Sequence, residues 1–134
     1  MSVLKEIDPI IEWYRKKYSG AAIHQLMDAK SKLLALCYRF SEETAASKRD
    51  SIISTVFRKS EHHKIKSQLI DEGMTLGLAE SKTIDQIRDL MSDEAEHEAL
   101  AYRQKLVLDI ALKIAEDLTQ RISVLKAEYN EARV

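Results

Sequence analysis

Two adjacent imidazoles, His62 and His63, stand beside Lys64, and histidines are among the commonest ligands of zinc. On a helix, neighbouring side chains point about 100° apart. The two rings therefore cannot close on one ion, and solvated histidines are the expectation. His97 lies near Glu94 and Glu98, but one acid is three residues back and the other adjacent. Neither a two-histidine nor a di-iron carboxylate pattern arises, and a charged surface turn is expected there. Cys37 has no partner thiol and sits among Leu33, Leu34, Leu36 and Phe40, so it reads as a small apolar residue. The chain has no glycine-rich phosphate loop, no nucleophile elbow and no paired-cysteine knuckle. No catalytic residue, metal ligand or cofactor is assigned, and a non-enzymatic protein is expected.

The richest candidate for binding is Ser47–Lys66. It holds Lys48, Arg49, Arg58, Lys59, Lys64 and Lys66, with Phe57, Ser51, Ser54, Ser60 and both adjacent histidines. Cationic side chains offset phosphate charge, hydroxyls bond phosphate oxygens, and an aromatic ring can stack on an unpaired base. That combination suits single-stranded nucleic acid. The competing structural interpretation is a solvated helix face that pairs with acidic residues 68–98 of the same or another subunit, with Phe57 in the core.

The elements that must position these residues are helices. Among 134 residues there are three glycines and one proline, with 45% hydrophobic and 32% charged residues, a balance far from sheet-rich or loop-rich proteins. The net charge of −1 hides an uneven distribution: +1 over residues 1–46, +4 over 47–66, −7 over 68–98 and +1 over 99–134. The N-terminal stretch mixes Lys5 with Glu6, Asp8 and Glu12 and has no apolar run. Neither a signal peptide nor a membrane span is expected, and a cytoplasmic location follows.

Along the chain, Asp8 before Pro9 predicts a helix start, since Asp caps free amides and Pro has none to leave unpaired. A short helix over residues 9–18 would gather Ile10, Ile11, Trp13, Tyr14 and Tyr18 on one side. Residues 21–70 contain neither glycine nor proline and predict one long helix or two nearly continuous ones. Ile23, Leu26, Met27, Leu33, Leu34, Cys37 and Phe40 follow three-and-four spacing, and Ile52, Ile53, Val56 and Phe57 resume it after a polar stretch, Ser41–Ser51. Gly73 and Gly77 place a reversal within residues 71–79. A short helix over about 80–91 would put Ile84, Ile87, Leu90 and Met91 on one face, and Ser92-Asp93-Glu94 signals a further start.

The last helix, over about 93–133, carries Ala95, Ala99, Tyr102, Leu106, Ile110, Ile114, Leu118, Ile122, Leu125, Tyr129 and Ala132 at intervals of three or four. At 1.5 Å per residue it would run for roughly 60 Å. The expected fold is all-α: a single helical domain over 1–134, a long helical hairpin or coiled-coil-like bundle with two short accessory helices. Two long helices cannot cover this much apolar surface alone. A homo-oligomer is therefore expected, with Leu106, Ile110, Ile114, Leu118, Ile122 and Leu125 at its interface.

The layout resembles small helical phage and prophage proteins, in particular the UvsY-type recombination mediators. The resemblance spans residues 26–134 as a pattern: the basic stretch Lys48 to Lys66, the joint at Gly73 and Gly77, the segments Ala79-Glu80 and Glu94-Ala95-Glu96, and the final Gln120-Arg121-Ile122-Ser123 and Ala127-Glu128-Tyr129. It implies a homo-oligomer that binds single-stranded DNA and contacts a recombinase or a single-strand binding protein. Lys48, Arg49, Arg58 and Lys59 would match its DNA-contacting region, while the acidic balance of residues 68–98 departs from a dedicated DNA binder. Beside it stands a protein-only interaction module, such as a helical chaperone or virion component, in which charge sets register.

Overall fold

The computed structural model describes residues 3–17 and 20–133. They form four helices: α1 (Val3–Lys17), α2 (Ile23–Asp71), α3 (Leu76–Gln86) and α4 (Arg88–Arg133). The fold is all-α, with no strand among the described residues. Tyr18, expected on the apolar side of the first helix, lies outside them. The chain divides into two compact units: Met1–Thr44 with Gln104–Val134, and Ala45–Arg103.

The first unit holds the principal apolar core. Val3 and Ile7 of α1, Leu26, Leu33, Cys37 and Phe40 of α2, and Ala111, Ile114, Ala115, Leu118 and Ile122 of α4 are buried together. Each has a neighbour three, four or seven residues away on its own helix, so each helix contributes one stripe. The Tyr14 hydroxyl donates to Asp117 Oδ2 at 2.7 Å, tying α1 to α4. Asp8 and Pro9 fall inside α1, not at its start. The ring removes one backbone hydrogen bond, at about 3 kcal/mol, but starting at Val3 lets Val3 and Ile7 be buried. At roughly 1.5–3 kcal/mol for each side chain, that offsets the loss.

Residues 23–71 are one helix. Its start is secured by Gln25, whose Oε1 accepts from the Ala22 N–H at 2.9 Å, half of a capping box. The polar stretch does not break it, and two of its hydroxyls find partners on the helix itself. Ser41 Oγ donates to the Tyr38 carbonyl and Thr44 Oγ1 to the Phe40 carbonyl. The helix ends in a Schellman motif: Met74 N–H donates to the Leu69 carbonyl and Gly73 N–H to the Ile70 carbonyl. Gly73 takes φ 97° there, a conformation costly for any side chain with a Cβ.

The reversal is tighter than the glycines alone suggested. Thr75 caps α3, its hydroxyl accepting from Leu78 N–H, so Gly77 belongs to the helix. α3 therefore begins at Leu76 and not near 80. α4 begins at Arg88 and not near 93, with Asp89 supplying the acid of its first turn. A single residue, Ile87 (φ −99°, ψ 10°), separates α3 from α4. Thr83 Oγ1 donates to the Ala79 carbonyl at 2.6 Å one turn earlier, a back-bond that bends helices.

The second unit, formed by the latter part of α2, α3 and the first part of α4, has a thin core. Ala79, Thr83 and Ile87 are its buried residues, at intervals of four. Around them α2 turns a polar side inward: Ser51, Ser54, Thr55, Arg58 and His62 are half-buried.

Candidate interaction face of the second helix

The expected core group of α2 in this unit faces the other way. Ile52, Ile53, Val56 and Phe57 are exposed, by 56%, 59%, 61% and 52%. Phe40, on the same helix in the first unit, is fully buried. The spacing explains the difference. Ile52 lies twelve positions after Phe40, and at 100° per residue that step carries it about 120° past the core stripe. A second signal lay in the residues opposite: Ser47, Ser51, Ser54, Arg58, His62 and Ile65 recur at three and four, and each is half-buried.

Ion pairs decide which side points inward. Arg58 Nε donates to Glu94 Oε2 at 2.7 Å and Nη2 to Oε1 at 3.3 Å, joining α2 to α4. Lys66 Nζ lies 2.7 Å from Glu80 Oε2, and His62 Nε2 lies 3.1 Å from Glu80 Oε1, joining α2 to α3. The Arg58 hydrogen bond holds the Glu94 carboxyl below its ordinary range, with the nearby Lys59 charge adding to it. Lys66 and then His62 do the same for Glu80. The adjacent histidines diverge, His62 half-buried on Glu80 and His63 exposed. His97 is exposed on helix α4, not on a turn.

The six basic residues therefore separate into two groups. Arg58 and Lys66 are taken up within the unit, whereas Lys48, Arg49, Lys59 and Lys64 are exposed and make no ion pair among the described residues. These four surround the outward apolar group. Beside it runs an open groove of about 330 Å³ lined by Asp50, Ile53, Ser54, Phe57, Leu90, Asp93 and His97. Both partners of an amphipathic contact, apolar bulk and free charge, are thus on one side of α2.

The six α4 residues expected at an oligomer interface also divide. Ile114, Leu118 and Ile122 are buried in the first unit's own core and Leu125 packs against it, while Leu106 and Ile110 remain exposed. The steps from Leu106 to Ile122 are all of four residues. Each such step overshoots a full turn by about 40°, so the stripe winds about 160° around the helix. What reads as one face is two. Cys37 is buried, and burial pushes its thiol upward, so it packs as an apolar group.

Among the described residues no group of His, Cys, Asp and Glu is placed to hold a metal ion, and no helix is long and apolar enough to cross a membrane. Comparison with protein-family models, curated proteins and solved structures finds no match to this chain.

Proposed function

We propose that the chain is a non-enzymatic, oligomeric helical adaptor that works by offering helix faces to other macromolecules. One observation carries this reading: the second unit packs Arg58, His62 and Lys66 toward its own helices and leaves Ile52, Ile53, Val56 and Phe57 in solvent. Exposed apolar groups of this kind, rimmed by charge, mark interaction sites. A helix whose apolar side is outward gains from a neighbour that covers it, and the polar inner side keeps the unit together meanwhile. Sedimentation of the purified chain across a concentration series tests the reading. A species heavier than the 15.4 kDa chain is expected, and a monomer at every concentration, with no ligand bound to the face, would remove it.

The placement of Phe57 favours a second reading, single-stranded DNA binding of the kind the UvsY-type resemblance implies, with contact to a recombinase or single-strand binding protein. The ring is half exposed on the same side of α2 as unpaired Arg49 and Lys64, an arrangement able to stack a base and meet its phosphates. Four phosphate contacts from Lys48, Arg49, Lys59 and Lys64 would give a log–log salt slope of about −2.8 for single strands. Fluorescence anisotropy with a labelled oligonucleotide should then show affinity falling about 50-fold between 50 and 200 mM salt. No binding at the lowest salt rules this reading out.

A further inference from the structure

Within the second unit, α4 carries an outer stripe of its own. Met91, Ala95, Ala99 and Tyr102 are all exposed and fall within about 80° of one another on the helix. Their inner counterparts, Leu90, Glu94 and Ala101, are half-buried. Glu96 and Glu98 flank the outer stripe, with Asp89 and Asp93 further round and exposed cations at its two ends, Arg88 and Arg103. Arg88 is already paired with Asp85 at 2.9 Å. So α4 presents Ala95 and Ala99 between Met91 and Tyr102, edged mainly by acids, where α2 presents bulky apolar residues edged by four bases and one acid, Asp50.

We infer that the occupant of the α2 face is a second copy of this chain, docked through its α4 face, so that each copy gives one surface and receives the other. This deepens the adaptor reading and rests on it. Two features select the cross pairing. Ile52, Ile53, Val56 and Phe57 are ridges, and the methyls of Ala95 and Ala99 leave the hollow that ridges need. Docking α2 on α2 would set Lys48, Arg49, Lys59 and Lys64 against their own kind, and α4 on α4 would oppose Glu96 and Glu98 to themselves. Like charges across an interface reject such partners, and opposite charges steer the correct ones. If the two contacts between a pair of copies are related by one two-fold axis they close a dimer, and if only one forms between each pair the contact is heterologous and propagates into a ring or filament.

Two variants, each with one spoiled face, test this. Val56→Asp disables the α2 surface and Ala99→Asp the α4 surface. Each alone should sediment as a monomer, and a 1:1 mixture should form a species of two chains, since one intact surface of each kind remains. Circular dichroism of each variant at the wild-type helix content shows that it has folded. Should either variant unfold, Arg49→Glu and Glu96→Lys replace them: each should weaken association by about tenfold, and mixing should restore it. If the wild type assembles and Val56→Asp disperses it, yet the mixture stays monomeric, the cross pairing is wrong while the adaptor reading survives. A monomeric wild type overturns both.

Discussion

The chain has two phenylalanines, both on α2, and they offer a controlled comparison. Phe40 is fully buried in the first unit, and Phe57 is 52% exposed in the second. Phe40→Ala should cost about 3–5 kcal/mol, the usual loss for a large core aromatic. With a urea slope near 2 kcal/mol/M, the midpoint falls by about 2 M. Trp13 is the sole tryptophan and packs against the same core, so its fluorescence reads the loss in that unit. Phe57→Ala should shift the midpoint by less than about 0.25 M, since surface changes lie within ±0.5 kcal/mol. Its effect belongs to association. A phenylalanine buries roughly 200 Å², so the exposed half represents about 100 Å². At ~25 cal/mol/Å², covering it contributes about 2.5 kcal/mol, or roughly a 70-fold change in dissociation constant. Melts at dilute protein and sedimentation at high concentration separate the two quantities. If Phe57→Ala lowers the monomer's midpoint as far as Phe40→Ala, the outward placement of the ring is refuted.

Other outcomes follow from the same geometry. Gly73→Ala should destabilise by about 1–2 kcal/mol because a Cβ strains the left-handed conformation even though open space surrounds it. Gly77→Ala lies in α3 with nothing near the added methyl and should stabilise by up to about 1 kcal/mol, and paired thermal melts would expose any reversal of order. Glu80 and Glu94 have carboxyls held below their ordinary range by Lys66 and Arg58. Their contribution is complete above the unfolded carboxylate value of about 4.3 and is lost as pH falls through the lower folded value. Helix content followed from pH 6 to pH 2 should therefore drop, with a shallower acid limb in Glu94→Gln. An unchanged limb would show that the Arg58 contact does not hold the unit together.

The all-α class, the presence of long helices and the core residues Leu26, Leu33, Cys37 and Phe40 could be read in the sequence, because a stripe within one continuous segment needs only the helix period, although Met27 and Leu34, expected on the same face, are exposed. What could not be read so easily is phase over distance. Ile52 to Phe57 look like a resumption of the Leu26–Phe40 stripe until the twelve-residue step from Phe40 to Ile52 is converted to angle. Start signals misled for a related reason. Asp8-Pro9 and Ser92-Asp93-Glu94 are good local caps, yet burial of Val3 and Ile7 in one case, and the Arg58 contact to Glu94 in the other, occur where both segments are already helical. Of the basic residues, charge alone marked all six. Separating Arg58 and Lys66 from the rest required knowing where Glu94 and Glu80 come to lie.

The slow winding of apolar residues around α4 makes its length in residues as consequential as its composition. Deleting one residue between Ile110 and Ile114 would rotate Leu118 and Ile122 by about 100° relative to the preceding turns, moving them out of register with Phe40 and Leu33 while leaving every core side chain chemically unchanged. Insertions near seven residues would nearly restore the phase, and those of one or two would not. A helix of this kind tolerates substitution at many exposed positions but keeps strict count of its turns, so that small insertions or deletions are the changes it resists most.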